Sequence, residues 1–190
     1  MWAKVEDNSI IEIITHPKSI TLGSTQYDSN IFSLWSKQEL QSIGLYPVEI
    51  DESNLKDKEY YSNGDISYSI VSGKLEVKGE YGAASAKPLD DVLWKDSDDI
   101  PAGMSVGDIR TYGLKNLHKK QVNYTAGSIL QPTDWLAIRE SEGGTSMPSA
   151  TKTWRAAVRT RANAHHTAID AVSDVDELAA LVYDWPELGE

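Results

Sequence analysis

Apolar and polar residues alternate over short stretches in the first part of the chain. Two such stretches, residues 2–5 and 10–14, flank Asp7 and Asn8 and predict a pair of short strands joined by a turn. An apolar run over residues 45–50 predicts another strand. The N-terminal part of the chain therefore reads as β-structure.

A second pair of alternating stretches begins after Asn63-Gly64. This dipeptide suits a type I′ turn, because both central residues of that turn need positive φ. Alternation follows over residues 66–70 and resumes, after Ser72-Gly73, over residues 75–77. The pattern predicts strands with one buried face each.

One short helix is predicted among these strands. Ser36 and Glu39 have the spacing of a capping box, in which each side chain satisfies a backbone N–H at the start of a helix. Leu40 and Ile43 follow as apolar positions, and Gly44 is a typical helix end. We expect about two turns of helix here.

The second half of the chain predicts helices. Between residues 105 and 130, Ile109, Leu117 and Tyr124 recur at roughly helical intervals. The run Pro132-Thr133-Asp134 predicts a new helix start.

Two further helices are expected near the C-terminus. Pro148 suits the first position of a long helix, and the segment Ser173–Glu177 predicts the cap of a last, short one. The long helix places six residues on one face at separations of three and four. They are Trp154, Val158, Ala162, His165, Ile169 and Val172.

Charge divides the chain in the same way. The net charge of the 190 residues is −11. Residues 1–100 hold nine Lys, no Arg and 18 acidic residues, whereas residues 101–190 hold four Lys, five Arg and 11 acidic residues. We therefore predict an α+β protein with an antiparallel, β-rich N-terminal module over residues 1–87. We also predict an acidic linker over residues 88–104 and an α-helical module over residues 105–190.

Composition argues against several classes of function. The acidic balance disfavours nucleic acid and anionic membranes as partners, since both are negatively charged, and no apolar run is long enough to span a membrane. The chain has no Cys and none of the familiar phosphate-loop or serine-hydrolase motifs. His166 and Asp170, four residues apart, are too few to make a metal site. We expect neither cofactor nor metal, and a protein that is not an enzyme.

Tryptophan and arginine provide the candidate binding residues. The chain has six Trp and nine Tyr but one Phe, and all five Arg lie in the second half. Trp and Arg are enriched among residues that dominate binding energies, although burial in the core is the competing interpretation for each tryptophan. The candidates for contact with a partner protein are Trp135, Arg139, Trp154, Arg155, Arg159 and Trp185.

Parts of the sequence resemble a known family. Four elements of the second half carry the resemblance: residues 130–139 (LQPTDWLAIR), Pro148, residues 154–159 (WRAAVR) and Trp185-Pro186. Together they are similar to the C-terminal segment of tailed-bacteriophage tail-fibre assembly proteins and related tail-associated virion proteins. The opening MWAKV with Asp7-Asn8, and later LYPV at residues 45–48, resembles the small β-rich module often found ahead of that segment.

The resemblance implies a non-enzymatic protein that docks onto other phage tail proteins, of the fibre or the baseplate. It would act in the host cytoplasm during assembly, as a chaperone-like component, or remain in the virion tail. Self-association and docking onto a trimeric partner both stay open. We expect the double substitution Arg155→Glu and Arg159→Glu to weaken partner binding without unfolding the protein.

Two other classes of function remain as alternatives. Aromatic side chains could stack on sugar rings in a carbohydrate-binding module of a fibre or receptor-binding tip. The second alternative is a small hydrolase acting on the host envelope, for which no motif is present. The candidate sugar-stacking residues are Tyr60, Tyr61, Tyr68, Tyr81 and Trp94.

Overall fold

The computed structural model describes residues 1–188. The chain divides into two compact units, unit 1 (Met1–Ser85) and unit 2 (Ala86–Glu190). Strands dominate the first and helices the second, which confirms the predicted α+β class and its order. The boundary lies close to the predicted end of the N-terminal module, but the predicted linker is part of unit 2, where it contributes a strand.

Unit 1 is built on a five-stranded sheet with two short helices beside it. Its helices are α1 (Ile31–Leu34) and α2 (Lys37–Ser42). Its strands are β1 (Trp2–Glu6), β2 (Ser9–Ile14), β3 (Ile20–Leu22), β4 (Thr25–Tyr27), β5 (Leu45–Asp51), β6 (Tyr61–Ser62), β7 (Ile66–Ile70), β8 (Val77–Tyr81) and, at the unit boundary, β9 (Ser85–Ala86).

The sheet has the strand order β2-β1-β5-β8-β7. Three of its four pairings are antiparallel, but β5 and β8 run parallel, with Val48 opposite Val77. The expected antiparallel sheet is therefore a mixed one. A parallel pair requires a long crossover, and residues 52–76, which include β7, provide it.

The two predicted turns of unit 1 differ in outcome. Asp7 and Asn8 have φ values of 48° and 59° and join β1 to β2, as predicted. Asn63-Gly64 is not a hairpin turn, because neither residue has positive φ. Its glycine instead permits close backbone contact, since a Cβ at Gly64 would lie 2.9 Å from the carbonyl carbon of Gly82.

The predicted capping box at the start of α2 is confirmed. The Ser36 hydroxyl accepts a hydrogen bond from the Glu39 backbone N–H at 3.3 Å, and the Glu39 carboxylate accepts one from the Ser36 N–H at 2.7 Å. The helix brings Leu40 into the main apolar cluster of unit 1. The buried members of that cluster are Ile14, Ile20, Ile31, Leu40 and Leu45.

Unit 2 consists of a two-stranded ribbon followed by helices. The ribbon pairs β10 (Val92–Leu93) with β11 (Ile109–Thr111) in antiparallel fashion. The helices are α3 (Leu114–Leu130), a 3₁₀ helix (Gln131–Thr133), α4 (Asp134–Ser141), α5 (Ser149–Ala171) and α6 (Val175–Ala179).

The helix expected from residue 105 begins only at Leu114. The residues before it form β11, and the Asp91 carboxylate accepts a hydrogen bond of 2.7 Å from the Gly113 N–H at the start of α3. The apolar positions that recur at helical intervals do not form a buried face of α3, since Leu117 and Tyr124 are 45% and 72% exposed. The buried residues of α3 are Leu114, Val122 and Ala126.

The apolar face predicted for α5 is confirmed. Val158 and Ile169 are fully buried, His165 is buried with them, and Trp154 is half-buried. The last helix, α6, begins at the predicted cap, where the Asp174 carboxylate accepts a hydrogen bond of 2.8 Å from the Glu177 N–H. Over the residues described, none of the helices combines the length and apolar character needed to cross a membrane.

Candidate protein-binding surface

Arg155 lies inside unit 2, and this corrects its predicted role as a partner contact. Its side chain is 7% exposed and donates hydrogen bonds to the Leu130 carbonyl (2.8 Å), the Thr133 hydroxyl (2.5 Å) and the Asp134 carboxylate (2.6 Å). A buried guanidinium requires such acceptors, since burial without them is strongly unfavourable. Arg155 therefore joins α5 to the junction of α3 and α4, and both terminal nitrogens of its guanidinium donate hydrogen bonds there.

Trp154 and Trp185 also have structural roles. The Trp154 indole N–H donates a hydrogen bond of 3.0 Å to the Pro186 carbonyl. The Trp185 ring packs edge-on against His165, with centroids 5.2 Å apart. Both tryptophans are half-buried. They hold the segment after α6 against α5, so each has a structural role, and their predicted role as partner contacts stays a prediction.

His165 completes this anchor. Its Nε2 donates a hydrogen bond of 2.8 Å to the Asp184 carbonyl, and the Tyr183 ring packs edge-on against it at 5.2 Å. The Tyr183 hydroxyl in turn lies 2.9 Å from Nδ1 of His118 on α3. His165 is therefore a hydrogen-bonded core residue of unit 2.

Trp135 and its neighbours on α4 have the opposite environment. Trp135 and Ile138 are each 57% exposed. The Arg139 guanidinium stacks over the Trp135 indole, 5.0 Å from the ring centroid, and its Nε donates a hydrogen bond of 3.0 Å to the Thr145 carbonyl. This contact holds both side chains in place. We call Trp135, Ile138 and Arg139 the α4 face.

Arg159, the remaining candidate, is exposed on α5. It has no ion-pair partner among the residues that the structure describes. Nearby in sequence, Arg161 pairs with Asp184 at 3.3 Å. Arg159 thus remains available for contact with a partner, whereas Arg155 does not.

The helices that carry this surface are basic within an acidic chain. Residues 114–171 contain eight Lys and Arg but four Asp and Glu. Two ion pairs fix α5 to its neighbours: Lys152 with Glu140 at 2.6 Å, and Lys119 with Asp170 at 2.5 Å. Hydrogen bonds from these lysines lower the pKa of both carboxyl groups. Asp170 therefore serves the helix packing.

Two exposed apolar residues of unit 2, Leu117 and Tyr124, are absent from the predicted contact residues, because the sequence pattern indicated them only as positions of a helix. Tyr112, 48% exposed, lies just before them, and the Lys120 ammonium is 3.2 Å from its ring centroid. Apolar side chains on an exposed helix side mark interaction surfaces when they form a continuous patch. Leu117 and Tyr124 could have been found in the sequence by comparing the apolar residues on the two sides of the helix.

The candidate sugar-stacking residues do not form an exposed aromatic platform. Tyr60, Tyr61, Tyr68 and Tyr81 of unit 1 are all half-buried, and Tyr68 packs against the apolar cluster around Val77. In unit 2, the Arg110 guanidinium covers the Trp94 ring at 4.8 Å from its centroid. Within residues 1–188, no three His, Asp or Glu side chains are arranged to hold a metal ion.

Comparison with known proteins adds no relative. No protein-family model, curated protein or solved structure matches the chain. The function must therefore be inferred from the α4 face, its electrostatic setting and the motifs that build it.

Proposed function

We propose that the protein is a non-enzymatic structural or assembly component of a bacteriophage tail, which docks through unit 2 onto another tail protein. The observation that carries the proposal is the α4 face. Trp135 and Ile138 expose more than half of their surface, and Arg139 is held beside the indole by stacking and a backbone hydrogen bond. A preordered Trp–Arg pair loses little conformational entropy on binding and is typical of binding hot spots.

The motif residues support this role through their contacts. The segment 130–139 and the segment 154–159 carry the resemblance to tail-fibre assembly proteins, and Arg155 links one to the other through three hydrogen bonds. Trp154 also binds the last motif element, Trp185-Pro186, because its indole N–H donates a hydrogen bond to the Pro186 carbonyl. The shared residues thus build a scaffold, and this scaffold leaves the motif residues Trp135, Ile138 and Arg159 exposed.

The α4 face also defines the chemistry of its partner. We expect an apolar pocket for the Trp135 and Ile138 side chains, bordered by carboxylates or carbonyls that pair with Arg139 and with Arg159 of α5. A fibre or baseplate protein, including a trimeric one, is the partner we propose. The host cytoplasm during assembly is the proposed site of action.

Co-expression with the neighbouring fibre gene tests the proposal. We expect the native chain to raise the soluble, correctly assembled fraction of the fibre protein, and Trp135→Ala with Ile138→Ser to abolish that gain. The matched control is Leu34→Ala with Val182→Ser, which alters apolar side chains that are 75% and 82% exposed elsewhere. If the native chain changes neither solubility nor assembly, and purified particles lack it by mass spectrometry, the proposal is wrong.

A further inference from the structure

A regular pattern of exposed residues runs along α3 and α4. Seven exposed positions follow one another at alternating separations of four and three residues. Four of them are apolar or aromatic and 45–72% exposed. We call this set the exposed stripe: Leu117, Gln121, Tyr124, Ser128, Gln131, Trp135 and Ile138.

The helical path is nearly continuous along this stripe. Leu130, Gln131 and Asp134 keep right-handed helical backbone angles, and Thr133, with φ −111° and ψ 3°, departs from them directly before α4. The more buried residues of α4, such as Leu136 and Glu140, continue at helical spacing from Ile129 of α3. The inward side of α3 therefore carries over into α4, and so does the outward side that bears the exposed stripe.

The spacing of the stripe is that of a coiled-coil seam. Alternating separations of four and three residues keep side chains on one side of a pair of supercoiled helices, which repeat every 3.5 residues. The other side of α3 already packs against α5 through Leu114, Val122 and Ala126. The exposed stripe thus has the geometry to bind one more helix.

We infer that the exposed stripe binds the same stripe of a second copy of this chain, in parallel orientation. This inference goes beyond the proposed function and does not depend on it. Because Trp135 and Ile138 belong to both surfaces, a copy that docks onto another tail protein must first separate from the second copy. All seven stripe residues are uncharged, so two copies meet there without like-charge repulsion despite the net charge of −11.

Charge complementarity at the edges of the stripe favours the parallel arrangement. Asp134 and Arg139 flank the stripe on opposite sides and are five residues apart, the separation at which charged residues pair across a parallel coiled coil. Asp134 is 52% exposed and can accept a bond in addition to that from Arg155. Gln121, Ser128 and Gln131 are polar seam residues that fix the register at a cost in affinity.

Disulfide trapping is a direct test because the chain has no Cys. In a parallel pair the two Gln121 residues face each other within disulfide range. We expect Gln121→Cys to form a covalent dimer under mild oxidation. Asn123→Cys, also exposed on α3 but off the stripe, is the matched control and should stay monomeric. Equal trapping of both variants, or of neither, would overturn the inference.

Sedimentation equilibrium of the full chain provides the second measurement. We expect a monomer–dimer equilibrium that Tyr124→Glu with Ile138→Glu shifts to monomer by at least tenfold, while Leu34→Glu with Val182→Glu leaves it unchanged. A chain that is monomeric up to about 200 µM contradicts self-association. The two proposals fail separately: a monomer that still assists fibre assembly refutes only the second copy, and a dimer without any effect on fibre assembly refutes only the tail role.

Discussion

Nη2 of Arg155 lies 2.6 Å from the Asp134 carboxylate, although 21 residues separate the two in sequence. This ion pair links α5 to the first residue of α4, and further bonds from the same guanidinium reach Leu130 and Thr133. One buried side chain thus stabilises the junction between α3 and α4. The orientation of the α4 face therefore depends on a residue that is itself buried.

Removing Arg155 should destabilise unit 2. We expect Arg155→Met to lower the free energy of unfolding by about 2 kcal/mol, because the half-buried Leu130 carbonyl and Thr133 hydroxyl lose the hydrogen bonds from the guanidinium while Asp134 remains partly solvated. Urea denaturation followed by helical circular dichroism measures this. Arg159→Met, at an exposed position, should change the value by less than about 0.5 kcal/mol. If Arg155→Met left the free energy of unfolding unchanged, the network would contribute nothing to stability.

The Trp154 indole should control the order of the C-terminal segment. Trp154→Phe keeps an aromatic ring but removes the N–H donor to Pro186. We expect faster amide hydrogen exchange over residues 181–188, with protection reduced by about 1 kcal/mol. Trp135→Phe, which alters an exposed ring, should leave exchange there unchanged. The same exchange rates in both variants would argue against the anchor.

Two glycines of α3 should respond in opposite directions to alanine. A Cβ at Gly113 would lie 2.3 Å from the Asp90 carbonyl carbon, so Gly113→Ala should displace the start of α3 and cost at least about 2 kcal/mol. Gly127 has no heavy atom within 4 Å of its Cβ position, and Gly127→Ala should add about 0.5–1 kcal/mol through helix propensity. Thermal unfolding of both variants at low protein concentration gives the comparison.

The capping box of α2 should make unit 1 sensitive to acid. Hydrogen bonds from the Ser36 N–H and hydroxyl lower the pKa of the Glu39 carboxyl group below its ordinary value. A lowered pKa in the folded state means that the stabilisation is present above the unfolded-state pKa and is lost as pH falls through the folded-state pKa. The stability difference between the native chain and Glu39→Ala should thus shrink as the pH falls from neutral through the ordinary pKa of a glutamate and below it. Urea midpoints across that range measure it, and a constant difference would refute the role of the charge.

Local patterns in the sequence were enough to predict several elements. The capping box of α2, the turn at Asp7-Asn8 and the buried side of α5 involve residues at most four positions apart. At that range, backbone geometry alone decides which groups can meet. The sequence also predicted that a β-rich unit precedes a helical one. Apolar residues alternate in the first part of the chain and recur every three or four residues in the second.

Tertiary packing decided the rest. The parallel pairing of β5 with β8 depends on where the 25-residue crossover between them re-enters the sheet. Gly64 allows the backbone to pass close to Gly82, and no local pattern in the sequence indicates this contact. Arg155 became a core residue because its acceptors lie 21 to 25 residues away, on elements that only folding brings to it. Leu117 and Tyr124 stayed outside because Val122 and Ala126 filled the contact with α5. A helix can bury only one side against one neighbour, and the sequence of α3 offers two apolar sides.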